Sequence, residues 1–200
     1  MEILYVNACL RTEASRTRRI AESFIAQCKR IAPDAVVKEC RLAQERPEYL
    51  TPALLADRDE LIEMQRFEHP LFTYAREFAA ADRIVVAAPL YDLSFPAVLK
   101  AYLERVCVGG ITFTYENDRP VGLCRAEKLM YITSRGGDFS GEMAEFEMGA
   151  RYVHALCMMF GIPKFECIAA DGLDIIGNDA AKMLEGAVEH ARAAAPAFME

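Results

Sequence analysis

Five consecutive apolar residues, Ile84-Val85-Val86-Ala87-Ala88, run straight into Pro89. A strand with one wet face alternates apolar and polar residues, whereas a strand covered on both faces does not, and the β-branched content favours an extended chain over a helix. The run therefore asks for a sheet layered on both sides, which for a parallel sheet means helices. It opens into Pro89-Leu90-Tyr91-Asp92-Leu93-Ser94-Phe95-Pro96, a stiff loop that mixes two prolines with aromatic and polar residues. A second run, Leu129-Met130-Tyr131-Ile132-Thr133, behaves the same way and empties into Ser134-Arg135-Gly136-Gly137, whose glycines let backbone amides approach a flat or anionic ligand. Open α/β sheets hold ligands beyond the carboxyl ends of their strands, so two such loops side by side predict a slot.

The remaining pattern supplies the layers. Residues 2–8 read as a first strand, followed by a helix beginning near Ser15 with Ile20, Phe24, Cys28 and Ile31 on one face, and residues 35–42 read as a second strand. Residues 44–81 form a charged, helix-favouring insertion, with two helices expected at about 52–68 and 70–80 and the prolines in their first turns. Its Leu54, Leu55, Leu61, Ile62, Met64 and Phe67 exceed what a solvated helix needs, which suits a cap over a site or a dimer interface. A helix over 95–106 is followed by an alternating segment at 111–115, the turn Glu116-Asn117-Asp118-Arg119-Pro120 and Val121-Gly122-Leu123, a hairpin-like excursion. A helix over 145–160, a strand over 165–170 and a helix from about Asp179 complete the chain. Five strands alternating with helices make one domain, 1–200, of the doubly wound α/β class, with order 2-1-3-4-5 expected over the longer six-stranded arrangement.

Composition narrows the partners. A net charge of −7 argues against nucleic acid or an anionic membrane, both of which call for a cationic surface. No stretch has the length of an apolar membrane span, and the start of the chain lacks the basic and apolar regions of a signal peptide, so a cytoplasmic protein is expected. Seven scattered cysteines without a CxxC pair give neither a zinc pattern nor a disulfide framework and read as small hydrophobes, Cys9 excepted because of its place after the first strand. His69, His154 and His190 are isolated, no metal-ligand spacing occurs, and Ser134 is not in GxSxG, which sets aside a metal centre and a hydrolase nucleophile. Met143, Met148, Met158 and Met159 fit either an adaptable substrate wall or core packing.

Where the first strand meets its helix, free amides and the macrodipole favour an anion. Ser15 and Thr17 add hydroxyls there, and Arg11, Arg16, Arg18 and Arg19 add positive charge to an acidic chain. The competing reading is that Ser15 only caps the helix and the arginines are solvated. Neither GxGxxG nor GxxxxGK[ST] is present. One phosphate at this point, with an aromatic system reaching the loops after the third and fourth strands, has the shape of FMN, which needs apolar packing on one ring face, hydrogen bonds at its rim and an open side for a hydride donor.

The run from Ala88 to Lys100, Gly110-Ile111-Thr112-Phe113-Thr114-Tyr115, Gly122-Leu123, Ile132-Thr133-Ser134-Arg135-Gly136-Gly137 and Phe160-Gly161-Ile162 together resemble, in order and spacing, the bacterial FMN-dependent NAD(P)H:quinone oxidoreductases and azoreductases of the flavodoxin-like superfamily. The resemblance implies a flavodoxin-like fold and a homodimer with FMN at the dimer edge. It also implies reduction by NADH or NADPH and reoxidation by a quinone or azo compound in a ping-pong cycle. The phosphate would fall on Ser15, Arg16 and Thr17, with Cys9 alongside. Pro89, Leu90, Tyr91, Asp92 and Leu93 would lie along the flavin ring, and Ser134, Arg135, Gly136 and Gly137 would contact its rim. Tyr91 and Tyr115, read as residues alone, fit either the wall of a substrate pocket or ordinary loop packing. Hydride transfer of this kind needs no side-chain acid or nucleophile. Members commonly carry serine in place of Cys9 and asparagine in place of Asp92, so a lowered flavin potential or weakened FMN binding is expected here. A non-enzymatic flavodoxin-like electron carrier or redox regulator, and a degenerate member without flavin, are the alternatives.

Overall fold

The computed structural model describes residues 1–200. Five parallel strands, β1 (Glu2–Asn7), β2 (Val36–Arg41), β3 (Arg83–Ala87), β6 (Lys128–Ser134) and β7 (Lys164–Ala170), stand in the order β2-β1-β3-β6-β7, while β4 (Phe113–Glu116) and β5 (Arg119–Gly122) form a separate antiparallel pair. With that hairpin set aside the order is 2-1-3-4-5, as expected. The helices are α1 (Arg16–Ile31), α2 (Leu42–Glu45), α3 (Pro52–Glu63), α4 (Thr73–Ala80), α5 (Ala97–Val106), α6 (Gly149–Phe160) and α7 (Ala180–Met199).

The unbroken apolar runs are explained by two cores that share the central strands. Ile3, Tyr5, Val85, Ala87, Met130 and Ile132 face one side, packed with Phe24 of α1 and Phe198 of α7, whose rings meet edge to face at 5.0 Å. Leu4, Val6, Ile84, Val86, Leu129 and Tyr131 face the other, packed with Leu99 and Tyr102 of α5 and Phe160 of α6. Alternate side chains of one strand thus enter different cores, so the middle of each strand is apolar on both faces.

Several boundaries differ from expectation for identifiable reasons. The first helix of the insertion ends at Glu63, not 68, because Gln65 enters the left-handed region (φ 54) and a Schellman pair forms: the Arg66 amide donates to the Leu61 carbonyl and the Gln65 amide to that of Ile62. Residues 70–80 divide into a 3₁₀ turn (Pro70–Phe72) and α4. Pro96 is the N-cap of α5, so that helix begins at Ala97 and not at 95. Residues 141–146 form a 3₁₀ segment, and α6 starts only at Gly149, where the Glu147 carboxylate accepts from the first two helical amides. The β4–β5 turn places both Asn117 (φ 50) and Asp118 (φ 60) in the left-handed region, as a type I′ hairpin requires.

The Gly122-Leu123 and Phe160-Gly161-Ile162 motifs belong together. A Cβ on Gly122 would lie 2.0 Å from the Gly161 nitrogen and 2.2 Å from the Phe160 oxygen, so the hairpin packs backbone to backbone on the end of α6. Gly161 itself, at φ 76, closes that helix. Gly122→Ala is therefore expected to lower the unfolding free energy by about 3 kcal/mol, the upper part of the range for overpacking, because the clashing atoms are backbone and cannot rotate away. Urea denaturation measures this, and a loss below about 0.5 kcal/mol, the scale of a neutral surface change, would contradict the packing.

Candidate functional site

The ladder between β3 and β6 does not stop where β3 ends. The Ala88 amide donates to the Ile132 carbonyl at 3.0 Å and the Leu90 amide to that of Ser134 at 3.1 Å. This holds the Pro89–Asp92 loop beside the Ser134–Gly137 loop, one layer beyond the sheet. Pro89 falls between the two donors, where its missing N–H costs no ladder bond. At Tyr91-Asp92-Leu93-Ser94 the chain turns tightly, with Tyr91 and Ser94 exchanging amide bonds at 3.1 and 2.9 Å. Asp92 (φ 49) and Leu93 (φ 67) are both left-handed. Aspartate adopts that region with little penalty, whereas leucine there carries strain of about 1–3 kcal/mol, which the surrounding structure must hold.

Across the slot lies the start of α1. Ser15 is its N-cap, the hydroxyl accepting from the Arg18 amide at 3.2 Å. The amides of Arg16 and Thr17, first in the helix, have no acceptor within it. The cleft between these parts has a volume of about 340 Å³ and is lined by Arg11, Ala14, Ser15, Arg16, Pro89, Leu90, Tyr91, Asp92, Ser134, Gly136 and Asp174.

Of the sequence-selected residues, Ser15, Arg16, Pro89, Leu90, Tyr91, Asp92, Ser134 and Gly136 thus meet in one cavity. Thr17 is buried just beneath, its hydroxyl 2.7 Å from that of Ser134, tying the helix start to the β6 loop. Cys9 is buried and not part of the lining; its thiol faces the Ala87 carbonyl at 3.7 Å. Burial pushes that thiol up to about 11, opposed by the nearby Ser15 hydroxyl, so it stays protonated at neutral pH. Arg135 points under its loop, to Asp171 at 3.2 Å and Glu147 at 3.6 Å. Leu93 and Gly137 are exposed at the rim, and Tyr115 projects into solvent from β4, 65% exposed. Of the four arginines, Arg11 and Arg16 face the cleft, while Arg18 pairs with Glu13 and Glu22 and Arg19 with Glu185. Both readings of Ser15 hold at once: it caps the helix and lines the cavity. Met143, Met148 and Met158 are exposed, and Met159 packs against a core.

Asp174 was not legible in the sequence. It reaches in from the loop after β7 and grips Arg16 through two bonds of 2.8 and 3.0 Å. A Cβ on Gly136 would meet its Oδ2 at 2.6 Å, so a larger residue there would make this carboxylate shift. The hydrogen bond from Arg16 holds the Asp174 carboxyl below the usual aspartate range. Nothing local marks this aspartate, since its partner lies 158 positions away.

The site suits a ligand with a phosphate and a flat ring. Unpaired helical amides and two arginines stand at one end, a glycine loop without side-chain bulk at one edge, and a stiff proline-containing loop along one side.

A flavodoxin-like family model matches residues 1–195, and the chain belongs to that family. It is 37% identical to an FMN-dependent NADH:quinone oxidoreductase of Clostridium acetobutylicum over 98% of this chain and 99% of the other. It is 36% identical, with the same coverage, to one of Clostridium perfringens. Among solved structures, the azoreductase of Bacillus anthracis superposes with a TM-score of 0.89 at 28% identity, covering 99% of this chain and all of the other.

Two outcomes follow from this geometry. The Asp174 carboxyl, followed by NMR, titrates below an ordinary aspartate and returns to the ordinary value in Arg16→Ala. Because the folded value is depressed, the pair's contribution is full above the unfolded carboxyl range and is lost as pH falls through the folded value. The Cys9 thiol stays unmodified by a disulfide reagent at pH 8 until the chain is unfolded; prompt reaction in the folded protein would contradict its placement.

Proposed function

We propose that this protein is an FMN-dependent NAD(P)H oxidoreductase that reduces quinones or azo compounds by a ping-pong cycle, acting as a cytoplasmic homodimer. The observation that carries the reading is the cleft itself, which joins the unpaired amides of α1 to the two strand loops in one cavity. The full-length relatives named for this activity support it. Bound FMN would supply the hydride-accepting ring. The protein's part is to bind and orient: the Arg16 and Thr17 amides with Arg11 and Arg16 for the phosphate, the Pro89–Leu93 loop along the ring, and the Gly136 and Gly137 amides at its rim. No helix of the chain is long and apolar enough to cross a membrane.

The dimer is supported by α3. It buries no residue, and only Leu61 and Ile62 at its end pack against the small cluster of Phe72, Ala75 and Val108. A twelve-residue helix is marginal in water on its own. A second copy of the chain would give its apolar residues a surface to bury against.

The test is an absorption spectrum after incubation with FMN and desalting, followed by anaerobic NADH and, separately, NADPH. Retained flavin bands that bleach, and recover on adding a quinone, are expected. Retention without bleaching by either nucleotide would favour an electron carrier. Asp92→Asn removes a negative charge beside the ring while keeping a residue suited to the left-handed turn, so a more positive flavin potential is expected. An unchanged potential would remove Asp92 as the tuning group.

A further inference from the structure

We propose that Glu147 is a positioning residue that fixes the spacing between the two loops of the cleft through Arg135, an inference that rests on the flavin reading of the site. Glu147 is 5% exposed and Arg135 8%, an ion pair with Oε1 to Nη2 at 3.6 Å beneath the Ser134–Gly137 loop. The same carboxylate accepts from the Gly149 and Ala150 amides at 3.1 Å, so it also caps α6, where the helix dipole favours its charge. Its neighbours reach the opposite lip. The Met148 amide donates to the Leu93 carbonyl at 2.8 Å, and a Cβ on Gly149 would lie 3.4 Å from the Ser94 carbonyl oxygen and 3.0 Å from both Glu147 Oε1 and the Tyr131 hydroxyl. Three consecutive residues, Glu147 to Gly149, therefore touch Arg135 on one side and the strained Asp92-Leu93 turn on the other.

The setting shows why a charge is used here. Tyr131, Thr133 and Arg135 alternate along β6 and its loop on the same face, and the Tyr131 hydroxyl, Thr133 hydroxyl and Arg135 Nε are all buried without a partner. Arg135 has two anions, Glu147 and the half-exposed Asp171, and its guanidinium lies over the Phe139 ring at 5.8 Å. Removing Glu147's charge would leave a buried guanidinium short of a partner among groups that are already short of theirs, and its least costly relief is to move toward Asp171. The 134–137 loop moves with it, away from the lip that Met148 holds, and the Leu90–Ser134 bond that bridges the lips weakens.

The test uses the full chain with and without FMN, comparing wild type, Glu147→Gln, Arg135→Met and the double variant. In the flavin-free protein, amide exchange at Leu90 should quicken about tenfold in Glu147→Gln while the core of β3 keeps its protection. The FMN dissociation constant should rise about tenfold, and adding Glu147→Gln to Arg135→Met should change neither readout further. Faster exchange confined to Gly149 and Ala150, with Leu90 and FMN affinity unchanged, would reduce Glu147 to a helix cap and overturn the proposal. Losses that simply add in the double variant would also overturn it. If Glu147→Gln does not fold, Glu147→Asp, which keeps the charge but withdraws it by one methylene, should show the same quickening at Leu90; unaltered exchange there would overturn the proposal. Failure of the wild type to bind FMN would refute the flavin reading by itself, and the exchange at Leu90 would still decide whether Glu147 spaces the lips.

Discussion

The continuation of the β3–β6 ladder past the end of β3 is the interaction on which the site depends. Parallel pairing fixes two backbones in register, and the bonds from Ala88 to Ile132 and from Leu90 to Ser134, the last residue of β6, carry that register into a segment that is no longer part of β3. A loop tethered this way inherits the rigidity of the sheet. The strain at Leu93 persists only because the ladder holds the loop on one side while the Met148 amide holds the Leu93 carbonyl on the other. Without the tether, the turn would relax and the cleft would lose one wall.

The sheet was legible because burial on both faces leaves a direct mark on sequence. Apolar runs without alternation appear only where both sides are covered, and Ile84 to Ala88 and Leu129 to Ile132 divide between two cores as that rule requires. The hairpin was legible from Asn117-Asp118, a pair suited to two consecutive left-handed residues. The end of α3 was not, because a glutamine occupies the left-handed position that normally announces itself with glycine. Asp174 and Glu147 were hidden for another reason: each acts through a contact distant in sequence, and an aspartate or glutamate in a loop carries no local pattern that separates it from a solvated one. The cavity's backbone could be read, while the carboxylates that brace it could not.

Charge distribution follows the same division. A protein of net charge −7 gathers arginines around the start of α1, but most of that charge is already committed. Arg18 and Arg19 are paired along the helix flank, Arg16 is gripped by Asp174, and only Arg11 faces the cleft without an ion-pair partner. The neutral donors, the first amides of α1, therefore matter more for an anion here than the arginine count suggests, because their dipoles are fixed by the helix and need no reorganisation. Arg16 would have to be shared between Asp174 and a bound phosphate, or exchanged from one to the other. The exposed side of that pair is screened by solvent, which makes such sharing inexpensive.

The two departures from the pattern that the sequence resembles act at different depths. Cys9 does not reach the cavity; it lies under Ser15 as a neutral thiol in a core, where its small apolar volume suits the packing as well as a hydroxyl would. Any effect it has on an anion in the cleft is therefore indirect, through packing. Asp92 stands on the cavity wall in a left-handed turn that asparagine and aspartate both adopt readily, so the backbone is indifferent to the exchange and the difference between them is electrostatic. A carboxylate there presents acceptors only and adds negative potential beside any ring in the slot. Of the two residues, Asp92 is the one placed to alter the chemistry of the site, and Cys9 the one placed to alter only its support.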